Sequence, residues 1–236
     1  MKKLFLLLSV SASLIFASCS NSDNGKDGST DSTQVATTEE GAPSSGRYGI
    51  KSGIVSFEQY DMMGVKMTQT TYFDDYGAKE CQEIISEMDM MGMKTKQHSM
   101  SIMADGYSIN YQLENMVNGK DETKKTATKV KIAGNPFGGF DFSTFTAEIK
   151  EKYDYKEEGS ETVAGVEGIK FSMTMDKTKA NDRITGVMYK NIMLKTSMKM
   201  SGFAINLVAK SFEENATIPA AKFEIPAGYT VEETKL

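Results

Sequence analysis

The stretch that decides the fold is Ile169–Asp176, IKFSMTMD, in which apolar residues hold the odd-numbered positions and polar residues the even ones. A second stretch, Leu194–Met200 (LKTSMKM), keeps the same period with its apolar residues at even positions. Val65–Thr68 and Met93–Lys96 begin in the same way. Alternation with a period of two is typical of antiparallel strands that bury one face and expose the other. The sequence therefore predicts a mainly β domain.

Two near-identical segments mark turns between such strands. Asp61–Lys66 (DMMGVK) and Asp89–Lys94 (DMMGMK) each combine Asp and Gly, residues that favour tight turns. Apolar side chains at loop tips indicate contact with another molecule. We therefore expect the two tips to gather on one rim of the sheet, at the mouth of a hollow. The alternative is that both turns fold inward and their methionines cap the core.

One segment interrupts the strand pattern with a helical one. Within Asp141–Tyr153, four apolar residues share one helical stripe, and Asp141 or Ser143 can cap its start. The polar, basic segment Lys120–Lys131 predicts a solvated loop or a short helix, with a phosphate or lipid-headgroup contact as the alternative. An antiparallel meander curved into an unclosed half-barrel, with one or more helices across its concave face, would bury both apolar surfaces. The stripe consists of Phe142, Phe145, Ile149 and Tyr153.

The N-terminal residues have the pattern of an export signal. Lys2 and Lys3 precede the apolar stretch Leu4–Phe16, which is too short to span a bilayer comfortably. The small residues that follow, just before Cys19, resemble the bacterial lipobox, in which the cysteine is acylated and becomes the new N-terminus. Residue 20 is Ser rather than Asp. By resemblance to the sorting rule of Gram-negative lipoproteins, this favours the outer membrane over the inner one. We expect a lipid-anchored outer-membrane protein, on the periplasmic face or the cell surface; the alternative is a standard secretory signal with an incidental cysteine.

Three segments follow from this pattern. Residues 1–18 are the predicted signal peptide, residues 19–46 the lipidated cysteine and its tether, and residues 47–236 a single domain. The tether is mostly Ser, Thr, Asn, Asp, Gly and Glu, too polar to form a core. As a random coil it would reach roughly 30 Å.

Three stretches resemble a known group of envelope proteins. Gly159–Gly165 (GSETVAG) and Tyr189–Lys195 (YKNIMLK) look like the central segment and a later strand of the LolA/LolB-like lipoprotein carriers. Asn215–Tyr229 (NATIPAAKFEIPAGY) looks like the carboxyl end of uncharacterised lipoproteins assigned to that fold. The resemblance covers roughly Tyr48 to Glu232. It implies an unclosed β-barrel whose hydrophobic hollow holds acyl chains in the carriers, and it transfers no specific binding residue.

The composition argues against several classes of function. The chain has 27 Lys and Arg against 32 Asp and Glu, a net charge of −5, so no basic surplus indicates a nucleic-acid partner. His98 is the only histidine, without a Gly-x-Ser-x-Gly motif, and Cys81 has no CxxC partner. We therefore predict no enzyme, no cofactor and no metal site. Methionines at i, i+2 spacing can bind Cu(I), but strand faces lined with methionine explain the same spacing.

The 17 methionines are the unusual feature of the composition. Methionine is typical of adaptable apolar surfaces, so a sheet lined with it would accept varied lipid-like ligands. Two functions remain open: a lipid-anchored protein that binds or carries an apolar ligand, and a non-catalytic subunit of an outer-membrane complex whose cavity is filled as core. The partners are then the membrane, through the N-terminal lipid, and a lipid-like ligand or an envelope protein. The predicted ligand-binding residues are Met62, Met63, Met90, Met91, Phe171, Met173, Met175, Met198 and Met200.

The anchor can be tested directly. Cys19→Ala should move most of the protein from the membrane pellet to the soluble periplasmic or secreted fraction, because the lipid is its predicted membrane contact. The measurement is fractionation followed by immunoblotting. A variant that still sediments with membranes would show that the lipoprotein prediction is wrong or that a second anchor exists.

Overall fold

The computed structural model describes residues 46–132, 141–174, 183–200 and 203–234, without the side chains of residues 199, 200 and 203. The predicted lipidation site Cys19, the signal peptide, most of the tether and Met175 lie outside these ranges. The strands are β1 (Gly53–Phe57), β2 (Tyr60–Met62), β3 (Val65–Asp74), β4 (Lys79–Met90), β5 (Met93–Ala104), β6 (Tyr107–Val117), β7 (Lys120–Asp121), β8 (Thr126–Lys131), β9 (Lys156–Val163), β10 (Val166–Thr174), β11 (Arg183–Tyr189), β12 (Ile192–Met200), β13 (Phe203–Glu214) and β14 (Thr230–Thr234).

The strands form one open sheet. Its order is β14-β8-β6-β5-β4-β3-β1-β13-β12-β11-β10-β9, with β2 paired to β3 and β7 to β6. Neighbouring strands are antiparallel except β14 and β8, which are parallel. The sheet ends at β9 on one side and β14 on the other, so it does not close. The prediction of a mainly β, unclosed antiparallel sheet is confirmed.

The helical content of the described residues is small. It consists of α1 (Ala147–Lys152) and three 3-10 helices. The predicted single helix over Asp141–Tyr153 is therefore wrong in extent, because the Thr146 side chain accepts a hydrogen bond from Ile149 N and begins α1 there. Its aromatic residues still cover the sheet as expected. The 3-10 helices are Asp75–Gly77, Phe142–Thr144 and Ala220–Phe223.

Strand β1 joins the two halves of the sheet. It pairs with β3 on one edge and with β13, about 155 residues away in sequence, on the other. The main core forms where the halves meet, and Val55 and Phe73 from one half pack with Val187, Leu194 and Ala209 from the other. Each fully buried aliphatic or aromatic side chain of this kind contributes about 1.5–3 kcal/mol.

A buried carboxylate fixes the point where the chain enters the domain. Glu80 Oε2 accepts hydrogen bonds from Arg47 Nη1 at 2.8 Å and from Tyr48 OH at 2.6 Å. Burial, together with the charge of Glu80, raises the pKa of Tyr48. Tyr48 N also donates to Tyr76 O in the turn after β3. The entry point therefore lies near Asp74, at one end of β3, whereas Val65 and the first DMMG tip lie at the other end.

A C-terminal strap, residues 215–229, covers one face of the first half of the sheet. Phe223, Ile225 and Tyr229 pack against a cluster that includes the buried Ile102 and Ala127. Ala127 belongs to β8, so the prediction of a loop or short helix is wrong for Thr126–Lys131, whereas residues 122–125 form a loop. The strap and β14 explain the error, because their burial of alternate residues stabilises a strand in a sequence rich in lysine.

The strap is pinned by Glu83, which binds three donors. Glu83 Oε2 accepts hydrogen bonds from Lys222 Nζ at 2.7 Å and from Tyr72 OH at 2.9 Å, and Oε1 lies 2.7 Å from His98 Nε2. Burial raises the pKa of Glu83, but hydrogen bonds from Lys222, Tyr72 and His98 outweigh it and leave the pKa below its ordinary value.

This lowered pKa predicts an acid-sensitive contribution to stability. A carboxylate whose folded pKa is depressed stabilises the protein above its unfolded pKa, about 4.3, and loses this effect as the pH falls through the folded value. Glu83→Gln should lower the free energy of unfolding at pH 7 by about 1–3 kcal/mol, with a smaller loss near pH 3. Urea unfolding at both pH values measures the difference; an equal loss at both would contradict the assignment.

Candidate functional site: the methionine face

The far ends of β2–β6 carry an apolar surface on one side of the sheet. Residues directly opposite each other in an antiparallel pair point to the same face, and successive residues alternate. Met62 pairs with Val65, Val65 with Met88, and Met90 with Met93, so these side chains share one face. We call this surface the methionine face. It consists of Tyr60, Met62, Val65, Met67, Met88, Met90, Met93 and Val117.

The methionine face is only partly covered. Met90 and Met93 are 43% and 44% exposed, and the other members are half-buried. None of its residues belongs to the three apolar clusters formed by the described residues. An exposed apolar patch of this kind, built from adjacent strands rather than from scattered single residues, is typical of a contact surface.

Two hairpin tips extend this face beyond the strand ends. Met63–Gly64 and Met91–Gly92 are two-residue loops in which all four residues have positive φ, between 52° and 82°. These are type I′ turns. Met63 is 71% exposed and Met91 is fully exposed. The tips are adjacent, since a Cβ at Gly64 would lie 3.0 Å from Met90 Sδ.

Methionine is an unfavourable residue for these turns. The first position of a type I′ turn favours Asn, Asp or Gly, because other side chains pay roughly 1–2 kcal/mol in the left-handed region. Two other tips of the same sheet follow this preference, with Asp105–Gly106 and Asn118–Gly119, whereas Ala164–Gly165 and Lys190–Asn191 do not. The two DMMG tips lie side by side with exposed methionines and do not fold inward. Their predicted position at the mouth of a hollow stays a prediction.

The opposite side of the same strand ends is charged. Lys66 pairs across β3 and β4 with Glu87, which pairs in turn with Lys96. Lys96 Nζ lies 2.9 Å from Glu114 Oε2, and Lys94 Nζ lies 3.2 Å from Asp89 Oδ2. A shallow groove of about 460 Å³ runs between these residues. The strand ends thus form an amphipathic ribbon, with thioethers on one face and balanced charges on the other.

The remaining predicted binding residues lie elsewhere. Phe171 and Met173 are fully buried, beneath Phe142 and its aromatic neighbours, with ring centroids 5.2 Å apart for Phe142 and Phe171. The structure places them in a filled core rather than along an open hollow. Met198 is half-buried on β12, where the strand ends with Met200 paired to Phe203. No pairing among the described strands brings β10 or β12, which carry these residues, next to the DMMG tips.

Among the residues that the structure describes, His98 and Cys81 both make contacts within the fold. His98 contacts Glu83, and Cys81 is fully buried in the cluster beneath the strap. Burial raises the pKa of the Cys81 thiol to about 12, so little thiolate is present at neutral pH. Among the described residues, no group of three or more His, Cys, Asp or Glu side chains could hold a metal ion.

Six members of the methionine face were not among the predicted binding residues. They are Tyr60, Met67, Met88 and Met93, together with the two valines Val65 and Val117. A signal for them exists in the sequence: a two-residue loop places the residues that flank it directly opposite each other, so Met90 must face Met93. Counting back by two along each strand then gives Met88, and Met67 follows once β3 is aligned with β4.

Comparisons with known proteins give distant structural similarities only. No family model and no characterised sequence matches the chain. The Pseudomonas aeruginosa MucA/MucB complex contains a chain similar over 75% of this chain, at 13% identity and a TM-score of 0.39. This chain spans 56% of the length of that one. A β-barrel-like protein of unknown function from Brucella abortus is similar over 72% of this chain and 100% of its own, at 11% identity and a TM-score of 0.39.

These similarities are too distant to assign a family or a function. The resemblance of the sequence to the LolA/LolB-like carriers stays a prediction. Within the residues that the structure describes, no helix is long and apolar enough to cross a membrane.

The exposure of the methionines predicts their order of oxidation. Dilute hydrogen peroxide should convert Met63 and Met91 to sulfoxides first, then Met90 and Met93, and Met173 last. A buried sulfur reacts only after the structure around it opens locally. If this opening costs about 1.4 kcal/mol or more, the oxidation rate falls at least about tenfold. Peptide mass spectrometry over time measures each rate. Equal rates at Met91 and Met173 would contradict the exposed position of the tips.

Proposed function

We propose that this protein is a non-catalytic binding protein of the cell envelope, which docks through the methionine face and its two tips onto an apolar groove of a partner protein. The observation that carries the proposal is the pair of exposed methionines, Met63 and Met91, held at positive φ. Each one combines an unfavourable backbone with an exposed apolar side chain. Neither feature helps the isolated domain to fold, whereas both are explained by a contact made at the tips.

The interior offers less support for the carriage of a lipid. The sheet faces that the sequence predicted to be a hollow are covered by this chain's own aromatic residues, Phe142 and Phe145 over β10 and β11, and Phe223 in the strap. An acyl chain would have to displace these side chains and break the contacts of Glu83 with Lys222 and Tyr72. A surface contact needs no such rearrangement.

The position of the tether favours a protein over the anchoring membrane. The domain begins beside Tyr76, and the tips lie beyond Val65, at the other end of β3. Ten strand residues separate these ends by roughly 30 Å. The predicted tether has a similar reach of about 30 Å, so a domain lipidated at Cys19 has room to hold its methionine face clear of the bilayer.

The charge distribution points the same way. The lysines near the tips are matched by carboxylates: Lys94 by Asp89, and Lys96 by Glu114. Anionic headgroups are attracted by an unbalanced basic cluster, which these strand ends lack. Methionine side chains instead suit a protein groove, because their flexible, polarisable thioethers adapt to irregular apolar surfaces. No catalytic group is required for this role.

The proposal can be tested by site-specific photo-crosslinking in intact cells. A benzophenone side chain at Met63 or Met93 should give a discrete protein adduct. The same group at Asp105, in a matching turn at the opposite end of the sheet, should give none. Two variants test the contribution of the tips: Met91→Asn in the protein with the probe at Met63, and Met63→Asn with Met91→Asn in the protein with the probe at Met93. Each should reduce the adduct at least about tenfold, because loss of a central contact residue costs about 1.4 kcal/mol or more. Both asparagines should leave the fold at least as stable, because they suit the turn.

Two outcomes would overturn the proposal. Equal adducts from Asp105 and Met63 would show that the contact is not made by the tips. The absence of a protein adduct, with Cys19→Ala protein sedimenting with lipid vesicles in a way that depends on Met63 and Met91, would identify a bilayer as the target.

A further inference from the structure

The choice of methionine on this face needs an explanation beyond hydrophobicity. Strand positions favour β-branched and aromatic residues, and the buried sheet positions of this chain include Val55, Phe73 and Ile102 as well as Met100 and Met173. The methionine face uses a flexible residue that oxidises readily, at positions open to solvent. Leucine or valine would give an equally apolar surface. The thioether group is the property that distinguishes methionine from them.

The register brings three of these thioethers together. Met90 lies directly opposite Met93, so their Cβ atoms are about 5 Å apart. Met88 precedes Met90 by two residues on the same face and pairs with Thr95, which puts it diagonal to Met93 at roughly 7 Å. In the structure Met90 Sδ lies against Gly64. Rotation about the three side-chain bonds of methionine is enough to bring three sulfurs at these spacings to one point.

We propose that Met88, Met90 and Met93 form a binding site for a soft monovalent cation, Cu(I). Thioether sulfur is a soft ligand that selects Cu(I) over hard divalent ions. The nearest carboxylates on β4, those of Glu87 and Asp89, alternate with the methionines and therefore lie on the opposite face of the sheet. A cation on the methionine face thus meets sulfur donors without carboxylate oxygens.

The thiol and the imidazole of the described residues are not placed to compete. The Cys81 thiol is buried beneath the strap, and His98 is engaged with Glu83. Met116 pairs with Lys96 and lies on the charged face. It provides a matched control: a methionine at the same end of the sheet whose cross-strand neighbour on β5 is Lys96 rather than another methionine.

The site uses part of the methionine face but is independent of the proposed docking. A substitution of leucine for methionine keeps the apolar surface and removes only the sulfur. Loss of cation binding in leucine variants that still give the Met63 photo-adduct would separate the two functions. Equally, failure of the docking experiment would leave the cation site to be judged on its own measurements.

The experiment is a titration of the full chain carrying Cys19→Ala with Ag(I), a probe that resembles Cu(I) and does not change oxidation state under these conditions. Carbon-13 labelling of the methionine methyl groups should show shifts of Met88, Met90 and Met93 that saturate at one equivalent. Met116 and the buried Met173 should not shift. Cu(I), added anaerobically with a reductant, should displace Ag(I) from the same three signals.

Each leucine variant gives a further comparison. Met90→Leu and Met93→Leu should weaken Ag(I) binding at least about tenfold, since loss of a ligand should cost no less than loss of a supporting residue. Met116→Leu should leave it unchanged. Circular dichroism confirms that all variants fold. Non-saturable shifts spread over all exposed methionines, or equal effects of Met93→Leu and Met116→Leu, would overturn the proposal.

Discussion

The pairing of β1 with β13 is the constraint on which the rest of the structure depends. It closes a connection of about 155 residues, and its register is set by burial of Val55 and Ala209, because a shift of one residue would turn each side chain to the wrong face. The same short strand aligns β3, but only over Thr70–Phe73. Beyond these residues β3 to β6 extend past the main core. The methionine face is the part that extends.

This overhang is stabilised by its own ladder rather than by a second layer. The β4–β5 and β5–β6 pairings continue to the strand ends, and cross-strand pairs on both faces add roughly 0.2–1 kcal/mol each. The exposed ion pairs of the charged face contribute little. Such a region has few buried neighbours, so it can carry strained turns and oxidisable side chains while the core holds the fold. Binding surfaces are commonly drawn from such regions of lower local stability.

Sequence periodicity predicts this fold better than its details. The alternation in Ile169–Asp176 and the repeated DMMG tips are local signals, and local signals give strands, hairpins and the open antiparallel sheet. Strand β8, within Lys120–Lys131, was missed because its burial depends on a strap about 100 residues later in the chain. Strand β14 was missed because its parallel pairing with β8 is equally distant in sequence. The single predicted helix is too long because the apolar stripe places the helix start near Asp141, whereas the Thr146 cap starts α1 at Ala147. Periodicity alone does not show which of these two signals decides the start.

The candidate site shows the same division. Met62, Met63, Met90 and Met91 could be found from the sequence, since the tips are local, whereas Phe171 and Met173 have the same alternating pattern and lie in a filled core. What separates the two groups is which part of the sheet a distant segment covers. The aromatic residues near Phe142 reach β10 and β11, and the strap reaches the opposite face of β4–β6. Neither the aromatic residues near Phe142 nor the strap covers the methionine face. Its methionines, which would otherwise be core, therefore form a surface, and their thioethers are accessible to a partner or a cation.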